Sequence, residues 1–485
     1  MRSIRYAYLL FLIAFSHYAC AQNPEYSKEI EDIIKKVENN LTGWVKLDGA
    51  PGWNLQQRMK FHNVHGVSIA VIKDYKIHWV RGYGWADTSD KRPVTPSTLF
   101  QAASISKSLH AMGVLKLADK KIIDIHAPVN DYLRTWKLPE DSFTAQTKVT
   151  TAHLLSHTGG LSVHGFRGYS WTDSIPSDND ILDGKPPANS APVRSQFAPG
   201  ARYQYSGGGT TVSKKVVMDI TGQPYDMFMW KEVLEPIGMR QSFYTQPPPP
   251  QAFRLLATAY RADGRPIKGK FHIYPEQAAD GLWTTPGDIA QFIIEMQLSM
   301  QGKSNKVLSQ QMTNTMLTPY IDREAALGVF VIERNGGKYF THNGANEGFR
   351  SQYYGSFENG NGVVVMVNSD VSAIVGELIN SVAIVYGWKD LYTPQIRKEV
   401  KVPAEKLRTY TGEYILPPHS FKITLVKDRL FASQNNQTPI PMYFTTENAF
   451  FVMEGPPADF EFVANGHSNL LVIKQGGREY KAVKK

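Results

Sequence analysis

Cysteine is almost absent from this sequence, because Cys20 is the only one among 485 residues. Cleavage of the chain before Gln22 would remove it, which excludes disulfides, thiolate metal sites and cysteine nucleophiles from the mature protein. Long hydrophobic runs are also absent. The apolar stretch 7–15 is too short to span a bilayer, and no other stretch reaches the required length. We therefore expect a soluble mature protein without a transmembrane span.

Charge of one sign is not concentrated anywhere in the chain. Lys and Arg (53 residues) are interleaved with Asp and Glu (44 residues), so the net charge of +9 is diffuse. Lys481, Lys484 and Lys485 form only a small basic tail. A solvated basic surface accounts for this composition, and we expect no nucleic-acid partner.

Motifs for metal, phosphate and α/β-hydrolase chemistry are missing as well. The pairs His153/His157 and His62/His65 are spaced like metal ligands, but no H-E-x-x-H pattern accompanies them. No glycine stretch carries the lysine of a phosphate loop, and no G-x-S-x-G nucleophile elbow occurs. We expect neither a bound metal nor a cofactor.

The first 21 residues have the order of a secretory signal peptide. Two arginines precede the apolar stretch, and Ala19-Cys20-Ala21 supplies the small residues of a cleavage site. We expect residues 1–21 to be removed and the protein to be periplasmic or secreted. The alternative is a lipoprotein anchored through Cys20.

The length of the chain suggests two or three domains. Apolar, β-branched residues in 66–86 predict a strand pair, helices follow, and strands return between 327 and 368 before a helix over 373–386. Strands at both ends with helices between them predict an α/β (α+β) sandwich around a central antiparallel sheet over residues 26–392. The stretch 166–201 lacks periodicity and is expected to be a loop that forms a lid or a wall of a site.

The residue composition and the predicted secondary structure change after residue 392. Residues 393–402 are charged and typical of a linker, and seven short strands separated by turn residues follow between 412 and 474. They predict a small all-β barrel or sandwich over residues 403–485.

The pair Ser104 and Lys107 introduces a helix predicted over 104–119. A serine at a helix start is favoured by the dipole when negative charge develops on Oγ, and a lysine at i+3 can reach that atom. A lysine among apolar neighbours can also have a lowered pKa and act as a base. S-x-x-K alone occurs often by chance, so the pair needs further support.

Two further segments supply it. Tyr205 precedes the glycine run 207–209 before another predicted helix, where a phenol can lie close to a substrate. His342-Asn343-Gly344 ends a predicted strand, where glycine lets a substrate lie against the strand edge and the next backbone N–H can complete an oxyanion hole.

Together these three motifs resemble those of the serine β-lactamase and penicillin-binding-protein superfamily, above all its class C branch of β-lactamases, esterases and D-amino-acid peptidases. The resemblance covers about residues 30–386 and includes the segments 154–160 and 280–288. It implies the β-lactamase/transpeptidase-like fold. The C-terminal strands resemble the small lipocalin-like barrel appended to some relatives, which can cover the cleft, bind ligand or mediate oligomerisation.

The resemblance implies a role for each motif residue. Ser104 is expected to be the acylated nucleophile, Lys107 to hold or take its proton, and Tyr205 to act as general base and then as acid toward the leaving group. Backbone N–H groups of Ser104 and Ala345 are expected to stabilise the oxyanion. The expected substrate-binding residues are Asn343, Gly344 and Gly207, and His342 is expected to assist catalysis.

Two departures from the family motifs narrow the expected substrate. Gly207 stands where an asparagine usually orients an acylamino carbonyl, and His342 stands where a lysine usually binds a carboxylate. A histidine carries that positive charge only in part near neutral pH. We therefore expect a peptidase or esterase acting on small amides, esters or D-amino-acid peptides. A class C-like β-lactamase is the first alternative, and a non-catalytic penicillin-binding sensor is the second.

Overall fold

The computed structural model describes residues 23–435, 438–455, 457–466 and 468–485. The expected signal peptide, with Cys20, lies outside these residues. No helix within the described ranges is long and apolar enough to cross a membrane.

The N-terminal part of the chain opens on one helix and continues into a strand hairpin. Ser27 caps the first helix by accepting a hydrogen bond from the Ile30 backbone N–H. The elements are α1 (Lys28–Glu38), β1 (Val45–Leu47), α2 (Leu55–Phe61), β2 (Gly66–Lys73), β3 (Lys76–Asp87) and β4 (Arg92–Pro93).

A mainly helical region follows, with a 3₁₀ turn at Ala103–Ile105 and a π-helical turn at Trp230–Leu234. Its elements are β5 (Phe100–Gln101), α3 (Ser106–Asp119), α4 (Val129–Tyr132), α5 (Thr151–Leu155), α6 (Asp178–Asp183), α7 (Gly207–Thr221), α8 (Tyr225–Met229), α9 (Glu235–Ile237), β6 (Trp283–Thr284), α10 (Pro286–Met300) and α11 (Gln310–Met316). The segment 166–201, which is expected from its sequence to be a loop, contains α6. This helix begins with a capping box formed by Ser177 and Asp180, and it buries Ile181 and Leu182.

The last elements of this unit complete its sheet. They are β7 (Phe330–Arg334), β8 (Gly337–Asn346), β9 (Phe349–Ser356), β10 (Gly362–Val367) and α12 (Ala373–Tyr386). The antiparallel sheet has the order β4-β3-β2-β10-β9-β8-β7. Alternate residues of β2 face opposite layers, because Ile69 packs in the cluster with α1 and α12 while Ala70 packs in the cluster with α3 and α10. The predicted sandwich around an antiparallel sheet is therefore confirmed.

The C-terminal part of the chain consists mainly of short strands. Its elements are β11 (Gln395–Arg397), α13 (Ala404–Tyr410), β12 (Gly412–Leu416), β13 (His419–Val426), β14 (Arg429–Gln434), β15 (Ile440–Pro441), β16 (Tyr443–Phe444), β17 (Ala449–Phe451), β18 (Asp459–Asn465), β19 (Ser468–Gln475) and β20 (Arg478–Lys484). Strands β12 to β20 form a nearly closed nine-stranded barrel-like sheet of order β15-β14-β13-β12-β20-β19-β18-β17-β16, so the predicted barrel is confirmed. Stacked aromatic rings fill its core, with the centroids of Tyr410 and Phe462 4.1 Å apart.

The barrel docks on the N-terminal segment and α2. Strand β11, from the stretch expected to be a linker, pairs in parallel with β1. Phe451 and Met453 pack against Val45, and Glu454 lies 3.6 Å from the Arg58 guanidinium. These contacts lie on the α1/α12 side of the sheet.

Candidate active site

Residues 100–106 are tied to a distant segment around residue 282. Strands β5 and β6 pair Phe100 with Thr284, and the Ala102 N–H donates to the Leu282 carbonyl at 2.8 Å. The Leu282 N–H donates in turn to Ser106 Oγ at 3.0 Å. This tie brings the residues before β6 against the start of α3.

Ser104 lies in the 3₁₀ turn ahead of α3 and is half-buried. The predicted helix is present, but regular α-helical geometry begins at Ser106. Ala103, directly before Ser104, has a φ of +50°. Residues with a side chain rarely adopt this left-handed conformation, which stores strain and is common at functional sites.

Lys107 touches Ser104, as the i+3 spacing predicted. It is 2% exposed, and its Nζ donates to Ser104 Oγ at 2.9 Å and to the Ala279 carbonyl at 2.7 Å. The same ammonium lies 3.4 Å from Asp280 Oδ1. Lys107 is therefore held on three acceptors in the protein interior.

The lowered pKa expected for Lys107 is not found. Burial lowers the pKa of this lysine, but the nearby Asp280 carboxylate and Tyr205 more than offset burial, and the net pKa is raised. Lys107 is consequently an ammonium at neutral pH. The sequence did not indicate this, because the carboxylate comes from a segment more than 170 residues away.

Asp280 is the first residue of the motif segment 280–288, and the sequence alone predicts no role for it. It is 4% exposed, and its Oδ1 accepts the Ser104 hydroxyl at 3.0 Å. The Asn346 side-chain amide donates to the Asp280 carbonyl at 3.1 Å, which ties this residue to β8 as well. The available signal was an ionisable residue directly before Gly281 in a family motif.

Tyr205 lies beside Lys107 in the turn that precedes α7. The Lys107 Nζ is 5.0 Å from the centroid of its ring. His157 packs against the other side, with ring centroids 4.1 Å apart, and His157 Nδ1 accepts from the Ser206 backbone N–H. The structure thus brings Ser104, Lys107 and Tyr205 together.

Gly207 begins α7 at a crowded position. Its N–H donates to the His164 carbonyl at 3.0 Å. A Cβ at this residue would lie 3.2 Å from that carbonyl oxygen and 3.2 Å from the Phe166 ring, which is tighter than most packing contacts. The volume that an asparagine would need is therefore occupied by the 164–166 segment.

His342 lies on β8 and is 2% exposed. Its Nδ1 lies 2.7 Å from the Asn343 carbonyl oxygen, and its Nε2 is buried without a hydrogen-bond partner among the described residues. Burial, followed by the charge of Lys107, lowers the pKa of His342 to about 3. The partial positive charge expected near neutral pH is therefore absent.

The edge of β8 faces the Ser104 turn. Strand β7 pairs with β8 only as far as Thr341, so in the described sheet residues 342–346 have one edge without a partner strand. Asn343 and Ala345 are exposed, whereas Gly344 is buried. A Cβ on Gly344 would overlap the Ala102 carbonyl oxygen, so glycine is required for this close approach.

The histidine pairs considered as metal ligands have other partners. His153 forms a capping box with Thr150, and His157 packs on Tyr205. His62 contacts Glu377, and His65 contacts the Gly264 carbonyl. Within the described ranges, no group of three or more His, Cys, Asp or Glu side chains could hold a metal ion.

The sequence of this chain is similar to those of known proteins. The chain is 32% identical over 220 residues to esterase EstB of Burkholderia gladioli, a match that covers 43% of this chain and 53% of the esterase. It is 24% identical over 362 residues to the putative penicillin-binding protein PbpX of Bacillus subtilis, covering 73% of this chain and 81% of PbpX. The chain therefore spans about half the length of the esterase.

Solved structures share the fold. The D-amino acid amidase of Ochrobactrum anthropi superposes with a TM-score of 0.58 at 19% identity, covering 74% of this chain and 99% of the amidase. A penicillin-binding protein homologue from Pyrococcus abyssi superposes with a TM-score of 0.57 at 20% identity, covering 89% and 98%. The family model described as Beta-lactamase matches residues 54–382. This chain belongs to the Beta-lactamase family.

Proposed function

We propose that this protein is a serine hydrolase that forms an acyl-enzyme on Ser104. The observation that supports the proposal most is the 2.9 Å contact between the buried Lys107 ammonium and Ser104 Oγ. A cation at that position stabilises the negative charge that develops on Oγ as it attacks a carbonyl carbon.

The oxyanion of the tetrahedral intermediate is proposed to bind the backbone N–H groups of Ser104 and Ala345. The close approach of Gly344 to Ala102 supports this assignment, because it holds β8 beside the Ser104 turn. Asn343 and Ala345 are exposed on the same strand and are proposed to contact the substrate, together with the buried Gly344 and Gly207 through their backbones.

Tyr205 is proposed to serve the leaving group. Its ring lies 5.0 Å from the Lys107 ammonium. A phenol at this position can give a proton to the departing oxygen or nitrogen and, once reprotonated, can orient the water that releases the acyl group.

The polar environment favours a substrate without a carboxylate next to the scissile bond. The neutral, buried His342 offers no positive charge, and the crowded Gly207 leaves no room for an amide side chain. Esters and amides of small acyl or D-amino-acid groups are therefore ranked before β-lactams. The named esterase and amidase relatives are consistent with this ranking.

A substrate panel tests the proposal. Wild-type protein and Ser104→Ala are compared on p-nitrophenyl esters, D-amino-acid amides and a chromogenic β-lactam. We expect catalytic turnover of an ester or amide that is lost in the variant. Faster turnover of the β-lactam would make the protein a β-lactamase. A stable penicillin adduct on Ser104 without turnover of any substrate would make it a sensor.

Export is proposed from residues 1–21, which have the order of a signal peptide. N-terminal sequencing of protein recovered from the periplasm or the medium is expected to begin at Gln22. A mature protein that begins at a lipid-modified Cys20 would favour the lipoprotein alternative.

The domain boundaries are proposed at 26–392 for the hydrolase unit and 403–485 for the barrel, with 393–402 between them. The barrel contacts of β11 with β1 and of Glu454 with Arg58 lie on the α1/α12 side of the sheet, whereas Ser104 precedes α3, which packs on the opposite side. This arrangement favours a supporting role for the barrel over a cover for the cleft.

A further inference from the structure

Ser104 Oγ has two partners of opposite charge. It receives a hydrogen bond from Lys107 Nζ at 2.9 Å, and it donates its own proton toward Asp280 Oδ1 at 3.0 Å. A proton acceptor must lie within about 2.6–3.2 Å of the atom it deprotonates. Among the described residues hydrogen-bonded to Ser104 Oγ, Asp280 is the acceptor within that distance.

Lys107 is not available for this task. Its ammonium has donors only, and these are directed at Ser104, the Ala279 carbonyl and Asp280. An ammonium that donates to Oγ can stabilise an alkoxide, but it has no lone pair with which to receive the proton.

Asp280 is fixed in place by its neighbours. The backbone turns tightly after it, since a Cβ on Gly281 would lie 2.6 Å from the Gln277 Cα. The Asn346 amide holds the Asp280 carbonyl, and the same amide donates to Gln101 Oε1 at 2.9 Å. The carboxylate is therefore positioned at Ser104 by three separate segments of the fold.

The side-chain contacts of this carboxylate lie on one oxygen, because Ser104 Oγ and Lys107 Nζ both contact Oδ1. Asp280 Oδ2 is buried and has no hydrogen-bond partner among the described residues. Glu276 shares buried oxygens without a partner but does not touch Ser104, so the contact with Ser104 Oγ is what distinguishes Asp280.

We propose that Asp280 is a catalytic residue that accepts the proton of Ser104 during acylation, which rests on the hydrolase function proposed above. As Oγ bonds to the substrate carbonyl carbon, its proton passes to Asp280 Oδ1 and the carbonyl electron pair moves onto oxygen. When the tetrahedral intermediate collapses, the bond to the leaving group breaks. Tyr205 protonates the leaving group, Lys107 returns a proton to Tyr205, and Asp280 returns one to Lys107.

Other ionisable groups surround this carboxylate. Lys107 faces it from α3, and Tyr205 lies on the far side of Lys107 in the turn before α7. Glu276 and Tyr274 come from its own segment, where the charge of Asp280 contributes to the raised pKa of each. Of these groups, Lys107 is the one that contacts both Asp280 and Ser104.

The test is Asp280→Asn, whose amide has nearly the same shape and can accept the hydrogen bond of Ser104 but cannot take its proton. We expect kcat for a p-nitrophenyl ester to fall by about 10²–10⁴-fold, with a smaller change in KM. Glu276→Gln is the matched control, because it removes a neighbouring buried carboxyl that does not touch Ser104. It is expected to keep wild-type kcat.

Rescue separates proton transfer from a structural effect. In Asp280→Ala, added formate is expected to restore part of kcat in proportion to its concentration, while the Glu276→Gln control is unaffected. Wild-type kcat in Asp280→Asn would overturn the proposal, as would a folded Asp280→Ala variant that formate does not rescue. If wild-type protein itself turns over no ester or amide, the proposed function fails instead.

Discussion

At the scale of single residues, the site is defined by which groups carry charge. Lys107 is buried and yet keeps its proton, because Asp280 and Tyr205 compensate for the lost hydration. His342 is buried beside that ammonium and stays neutral. Strand β8 therefore lacks the positive charge that a lysine usually supplies at the position of His342. The positive charge of the site is that of the Lys107 ammonium, which contacts Ser104.

The neutrality of His342 predicts a pH profile. With its pKa lowered from 6.5 to about 3, the imidazole is unprotonated across pH 5–8 in the folded protein. We expect His342→Gln to change the height of the kcat/KM profile in this range but not its shape. Ester hydrolysis measured from pH 5 to pH 8 checks this. A limb near pH 6.5 in wild-type protein that disappears in the variant would contradict it.

The sequence identified the residues that are close along the chain or belong to a motif. Ser104 and Lys107 are three residues apart on one helix face, so their contact follows from helical geometry. Asp280 could not be placed in the same way, since its position depends on the pairing of β5 with β6. The charge states of Lys107 and His342 were also out of reach, because each depends on burial and on groups from other segments.

At the scale of elements, the packing of β8 against the Ser104 turn positions the proposed oxyanion donors. Strand β8 approaches the turn at 103–105 so closely that Gly344 cannot carry a side chain. Ser351 on β9 donates to the Ala102 carbonyl at 3.1 Å and holds the same approach. The distance between the nucleophile and the proposed oxyanion donor on Ala345 is thus fixed by packing.

We expect Gly344→Ala to reduce activity and stability together. Its Cβ would overlap the Ala102 carbonyl oxygen, so β8 must move away from Ser104. The expected changes are a loss of about 1–3 kcal/mol in the free energy of unfolding and of about 10²-fold in kcat/KM. Denaturant unfolding and ester kinetics measure them.

Gly376→Ala is the control for this variant. Gly376 lies inside α12 with open space at its Cβ, so alanine is expected to stabilise the helix by about 0.5–1 kcal/mol and to leave kinetics unchanged. Equal behaviour of the two variants would contradict the proposed role of Gly344.

The segment before β6 carries a second test, at Glu276. This side chain is fully buried, neither of its oxygens has a hydrogen-bond partner in the described part of the chain, and burial raises its pKa from 4.5 to about 8. Between these two pH values the unfolded chain loses this proton while the folded chain keeps it, so stability falls as pH rises. Glu276→Gln removes this pH-dependent loss of stability, because glutamine does not titrate.

We expect the variant to gain stability over wild-type protein progressively from about pH 4.5 to pH 8, by an amount on the order of a few kcal/mol. Thermal unfolding at pH 5 and pH 9 measures the difference. A stability difference that is the same at both pH values would show that Glu276 does not titrate in this way.

Element prediction from the sequence worked where the pattern was periodic. The hairpin of β2 and β3 and helix α12 lie where the sequence predicted them. The sequence pattern does not predict β20 in the barrel, because most of its residues are exposed and charged side chains mask the alternation, with Ala482 buried. The pattern predicts a linker over 393–402, whereas β11 in this stretch pairs with β1.

At the scale of the whole molecule, the barrel is joined to the hydrolase unit through a buried polar contact. Arg58 Nε donates to Glu377 Oε2 at 2.8 Å, and Glu454 of the barrel approaches the same guanidinium. Burial raises the pKa of Glu454. A few angstroms away, Gly43 lies so close to Met453 that a Cβ would overlap its carbonyl oxygen.

Gly43→Ala is expected to loosen this interface without changing the chemistry of the site. We expect faster proteolytic cleavage within 393–402, a loss of about 1–3 kcal/mol in the free energy of unfolding, and unchanged ester turnover at room temperature. Limited proteolysis and kinetics on the same preparation check both parts. Loss of turnover in step with the cleavage would show instead that the barrel takes part in catalysis.

The central claim is that Ser104 carries the acyl group, and covalent labelling tests it most directly. Wild-type protein and Ser104→Ala are treated with a fluorophosphonate or a slowly released ester, and intact mass and peptide mapping are recorded. We expect one adduct per chain on Ser104 in wild-type protein and none in the variant. An unlabelled wild-type protein, or an adduct that persists in Ser104→Ala, would contradict the account.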